Sequence, residues 1–142
     1  MKILIASLLF VLCYSQVQAE DAISRRDGYL LIWNSILRPA EKTRETPFVD
    51  VSENERGFLE ITYGKRRGLI DDSVSFYPNA NLSLDDALLW LYRTRNVRAW
   101  DNMQRNDLPS LLEQYPIQRE KNLSQGNTVS REELQHLIEK LD

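Results

Sequence analysis

Three times in this chain an aliphatic residue, a serine, two further residues and an acid stand ahead of an apolar run. The copies are Ile23-Ser24-Arg25-Arg26-Asp27, Leu82-Ser83-Leu84-Asp85-Asp86 and Val129-Ser130-Arg131-Glu132-Glu133. The spelling constrains the fold because it is a helix start. A serine at N-cap accepts a hydrogen bond from an otherwise unpaired first-turn amide. The acid three residues later can reach back to the N-cap amide and close a capping box, for which Glu133 is better suited than the shorter Asp27 and Asp86. The acids also favour the positive end of the helix. The aliphatic residue ahead of serine can staple onto the fourth helical position, which is Ala87 in the second copy and Leu134 in the third. Gly28 holds that place in the first copy, where the staple is weak.

Each start opens an apolar stripe at helical spacing. Tyr29, Leu30, Trp33, Ile36 and Leu37 form the first, and Pro39 ends it. Leu84, Ala87, Leu88, Leu91 and Tyr92 form the second, and Leu134, Leu137, Ile138 and Leu141 the third. The expected capped helices span 24–37, 83–95 and 130–141. Two arms connect them. In the first, Ser52-Glu53-Asn54-Glu55 reads as a further capping box ahead of a helix over 53–67, with Phe58, Leu59, Ile61 and Tyr63 on its apolar side. Gly68 is expected to stop that helix in a left-handed conformation. A loop over 71–81 follows, with Phe76-Tyr77-Pro78-Asn79 in it. In the second arm, 97–128, Asp107-Leu108-Pro109 starts a short helix that Pro116 ends. The low Gly and Pro counts fit this all-α reading.

The N-terminus is of another kind. Lys2 precedes an apolar run over 3–14, and Val17-Gln18-Ala19 is a small-x-small site, so 1–19 reads as a secretory signal peptide. The apolar run is too short for a membrane span. Cys13 is then lost with it, and 20–142 forms one thiol-free helical domain. The expected location is outside the cytoplasm: periplasm, cell surface or medium.

A single cysteine and a single histidine leave no material for a Cys/His metal site, a disulfide framework or a Cys-His dyad. Net charge of −3 speaks against nucleic acid as a partner. Asp71-Asp72 lacks the alternating acids of a calcium loop. Asp85-Asp86 is accounted for by the helix start, and His136, with no second histidine, is expected at the surface. No catalytic constellation emerges, so neither an enzyme nor a cofactor is expected. The remaining candidates are binding residues. Arg25 and Arg131 stand at the first helical position, where a guanidinium beside free helix amides suits a carboxylate or phosphate. Trp33 follows an apolar stripe and belongs to the core. Trp90 lies off its stripe and Trp100 in a polar stretch, so these two are candidates for an exposed platform. Lys65-Arg66-Arg67 complements the end of its helix.

The order of these motifs resembles the S-layer homology (SLH) domain. Phe48-Val49-Asp50-Val51 is similar to the start of that family's repeat, and Gly64 to Ile70 to its arm-helix end. Phe76-Tyr77-Pro78-Asn79 is similar to its loop, and Leu82-Ser83-Leu84-Asp85-Asp86 stands where its second helix opens. One nearly complete repeat thus covers 48–96. The Ser24 helix resembles the second half of a preceding repeat, and 97–142 a following one. The resemblance implies a pseudo-threefold bundle of three capped helices with two projecting helix-loop arms. It also implies grooves in which a motif arginine contacts anionic cell-wall glycan. That arginine falls on Arg25 and Arg131, with Leu84 at the middle position. The expected function is an exported, envelope-associated binding module. The alternative is an exported protein–protein interaction domain that keeps the fold without glycan binding.

Overall fold

A computed structural model describes residues 21–95 and 128–140. The expected signal peptide, Trp100, the second arm over 97–127 with the short helix expected in it, and Leu141 lie outside the described residues. The described chain is helical: α1 (Arg25–Ser35), α2 (Phe58–Arg66), α3 (Leu84–Arg95) and α4 (Arg131–Lys140), with no strand among the described residues. None of these helices is long and apolar enough to cross a membrane.

All three repeated serines cap. Ser24, Ser83 and Ser130 each accept from the amide three residues on, at 3.1 Å. Only Glu133 closes the reciprocal bond, accepting from the Ser130 amide at 2.8 Å. Asp27 and Asp86 turn instead to arginines, Arg56 and Arg25 respectively. The extra methylene of glutamate is what lets Glu133 reach back.

The residues just ahead of the three helices bond to one another in a ring. The Ile23 amide donates to Val129 O (2.8 Å), Val129 to Leu82 O (3.1 Å), and Leu82 to Ile23 O (2.8 Å). Ala22 pairs with Ser130, Ser24 with Asn81, and Ser83 with Thr128. The three aliphatic residues in the ring are buried, so these bonds form away from competing water.

α1 packs against the other three helices. Gly28 lets the residue ahead of α3 come close, since a Cβ there would overlap the Leu82 side chain. Gly64 of α2 makes room for the next residue of α1, since a Cβ would overlap the Tyr29 phenol. Tyr29 is fully buried, donates to Glu60 O at 3.2 Å, and meets Trp33, Phe76 and Trp90. Trp33 lies in the core, as its stripe predicts.

Two sequence expectations need correction. The arm helix begins at Phe58, not at 53, because Gly57 ahead of it is left-handed (φ 86°) and breaks the run. Ser52–Arg56 forms turns whose side chains serve α1: Glu55 pairs with Arg26, and Arg56 with Asp27. The apolar side of α2 also loses Leu59, which is exposed. The second correction is Trp90, which is 1% exposed and cannot be a surface platform. Its helix is buried on nearly every side, because residues 69–76 of the arm cover the flank that the stripe leaves free. Arg93 bonds Leu69 O at 3.3 Å and Asp71 at 2.7 Å, and Phe76 stacks on Trp90 at 5.9 Å. Gly68 ends α2 in a left-handed turn, as expected (φ 69°).

Candidate functional site

The site begins with Asp50. Its carboxylate accepts from the amides of Phe76 (2.8 Å) and Tyr77 (2.7 Å), one oxygen to each. This clamp holds Tyr77 at φ 57°, a left-handed conformation that disfavours a side chain. Phe76 is thereby turned into the core and Tyr77 out of it, 65% exposed. The loop then lays its carbonyls on the start of α1. The Arg25 amide donates to Ala80 O at 2.8 Å and the Arg26 amide to Pro78 O at 3.0 Å. The next two amides of α1 go to Ser24 Oγ (3.1 Å) and Ser24 O (2.8 Å). The expectation of free helix amides beside Arg25 is therefore corrected: the loop has taken them.

The Arg25 side chain is held on several sides. Nε donates to Phe76 O at 2.7 Å, and Nη1 pairs with Asp86. The guanidinium lies 5.1 Å from the Phe76 ring centre and 5.0 Å from that of Trp90, in cation–π range. The pair is only 17% and 13% exposed at its side chains. Beside it opens a cavity of about 340 Å³. Phe76 and Trp90 form its buried floor, Arg25 and Asp86 its polar wall, and Ser73, Ser75 and Asp71 line it further. Tyr77 is its exposed rim. Asp71 is itself paired with Arg93, so the two arginines and two aspartates leave the wall near neutral. Such a wall offers hydrogen-bond donors and acceptors side by side, with aromatic carbon beneath.

Of the four residues expected to bind ligand, Arg25 and Trp90 come together here, with Trp90 in the floor rather than on the surface. Arg131 is exposed, does not line this cavity, and carries no ion pair among the described residues. Loop 76–80 ahead of α3 covers the start of α1. The residues ahead of Asp21 lie outside the described residues. Trp100 does also. Sequence reasoning missed Tyr77 as the exposed aromatic and Asp86 as the arginine's partner. The signal for Tyr77 was the Phe-Tyr-Pro-Asn loop, where a buried and an outward residue are forced to alternate. The Arg25–Asp86 pair spans 61 positions and has no local signal. His136 is exposed, as expected.

Comparison of the chain with models of protein families, with curated proteins and with solved structures gave no match.

Proposed function

We propose that the chain is an exported, envelope-associated binding module that takes a glycan in the Arg25–Asp86 cavity. The observation that carries this reading is Tyr77. An aromatic ring is held exposed at the cavity rim on a backbone conformation that costs about 1–2 kcal/mol for a non-glycine residue. Asp50 spends both carboxylate oxygens on keeping it there. Strain of this kind concentrates at binding sites. A sugar ring could stack on Tyr77 while its hydroxyls bond the Arg25–Asp86 wall. An acidic group on the glycan would compete with Asp86 for the guanidinium, so hydroxyls carry more of the recognition than charge.

For the architecture we propose the pseudo-threefold SLH-like arrangement, with the arms set around it. The support is the ring of bonds among Ile23, Leu82 and Val129, in which each pre-helix segment treats its neighbour alike. A protein partner is the second reading. It is favoured by Val49 and Val74, 74% and 72% exposed and joined through their backbones at 3.0 Å.

The test is sedimentation of the purified chain with cell-wall material, followed by titration of the released glycan read by tryptophan fluorescence. Tyr77→Gly is expected to abolish binding yet raise stability by about 1 kcal/mol, since glycine is at ease at positive φ. Binding that survives Tyr77→Gly would overturn the site. Failure of the unaltered chain to sediment, with Val49→Asp blocking a captured protein, would favour the second reading.

A further inference from the structure

Five described basic residues are matched one to one with acids: Arg25 with Asp86, Arg26 with Glu55, Arg56 with Asp27, Arg93 with Asp71, Lys65 with Asp72. Arg38, Arg131 and Lys140 carry no ion pair among the described residues, and neither do three cations that stand together. Lys42, Arg44 and Arg66 line a second cavity of about 540 Å³, together with Thr46 and a single acid, Glu45. All three cations are exposed, and none has a hydrogen bond or ion pair among the described residues. Converging three like charges on one concave surface, in a chain of net charge −3, runs against their mutual repulsion.

The end of α2 explains part of this, because cations complement a helix C-terminus and Arg66 is in its last turn. It does not explain Lys42 and Arg44, which belong to a segment outside any helix. What brings that segment to α2 is Lys65. Its ammonium donates to Thr46 O at 2.9 Å, sits 4.7 Å from the centre of the buried Phe48 ring, and lies 3.6 Å from Asp72. Lys65 is thus used up as a fastener, with a side chain only 7% exposed, while its neighbour Arg66 is left to the cavity. Thr43 Oγ1 accepts from the Glu45 amide at 2.9 Å and sets the turn that carries Arg44.

We infer that Lys42, Arg44 and Arg66 form a second binding site, for a polyvalent oxyanion with phosphate groups close together along one chain. Two arginine forks match two phosphates in bidentate fashion, and the lysine adds a movable point charge. The cavity has room for several linked groups rather than one. The site shares no lining residue with the Arg25 cavity and does not rest on the glycan reading.

The probes are inorganic orthophosphate, tripolyphosphate and long-chain polyphosphate, titrated calorimetrically into the purified chain at low and moderate salt. Tripolyphosphate is expected to bind at one site per chain, at least tenfold more tightly than orthophosphate, and to weaken as salt rises. Arg44→Ser with Arg66→Ser should lower that affinity at least tenfold with unchanged melting temperature. Arg131→Ser, an exposed cation elsewhere, should leave it as it was, and so should Tyr77→Gly. Equal affinity per site for tripolyphosphate and the long polymer assigns the site to a small free anion; tighter binding of the polymer assigns it to a phosphate-bearing chain. No saturable binding, or equal losses from Arg131→Ser and the double variant, would overturn the proposal. If the double variant melts lower, Arg44→Gln alone, on the exposed segment, supplies the same comparison.

Discussion

The starts of α1 and α4 carry nearly the same sequence and have opposite fates. Both place serine at N-cap, arginine at the first helical position and an acid at the third. At α4 the acid closes the capping box and Arg131 stands in solvent. At α1 the acid leaves the cap for Arg56, and Arg25 is enclosed by Phe76, Trp90 and Asp86. The fourth and fifth positions diverge as well. Gly28 and Tyr29 are buried in α1, while α4 has buried Leu134 and exposed Gln135. A helix start is a local instruction, and it says nothing about whether a loop from fifty residues away will settle on it.

Four experiments put this contrast at risk. The largest expected effect is at the arginines. Arg25→Ala takes the guanidinium from Asp86, Phe76 O and two rings, and should cost about 3 kcal/mol in chemical denaturation, toward the low end for a broken buried pair because this one is partly exposed. Arg131→Ala should stay within about 0.5 kcal/mol, as surface changes do. Adding Asp86→Ala to Arg25→Ala should recover part of the loss, giving a coupling energy from the double-mutant cycle. Equal costs at the two arginines would mean that their surroundings do not differ as described.

Gly28→Ala comes next. The methyl group would press on Leu82 within the bonded ring, and overpacking of this kind costs about 1–3 kcal/mol. A stabilised Gly28→Ala, by calorimetric melting, would show that helix propensity outweighs the close approach.

The third test uses alkali. Burial first, then the Glu60 and Tyr63 charges, pushes the Tyr29 phenol far above its ordinary value of 10.0. The unfolded chain therefore releases this proton near pH 10 while the folded chain keeps it. Stability is unaffected by Tyr29 below pH 10 and falls above it, by about 1.4 kcal/mol per pH unit. Tyr29→Phe should flatten that part of the alkaline limb. An unchanged slope would show that the phenol is reached by solvent.

The smallest effect separates the caps. Ser24→Ala, Ser83→Ala and Ser130→Ala should each cost about 1 kcal/mol. Ser130→Ala should cost most, because there alone the box is closed. A reversed ranking would mean that the neighbouring arginine pairs, and not the serines, hold the first turns of α1 and α3.

Local sequence is enough to say where the three capped helices begin, how the first-turn amide is satisfied in each, and that Gly68 stops the arm helix. These depend on neighbours within four residues, and the hydrogen-bonding reach of serine and glutamate is the same in any fold. It also shows the ingredients of the loop, Asp50 and Phe-Tyr-Pro-Asn, without their use. The rest came from long-range packing. It took the amides at the start of α1 for Pro78 and Ala80, sank Trp90 under the arm, and moved the start of α2 past Gly57, whose neighbour in space is Leu30. It also paired Arg25 with Asp86 across 61 residues. An apolar stripe records which side of a helix meets the first layer packed against it. It holds no record of a second layer, and α3, enclosed by two, is where the pattern and the burial part company.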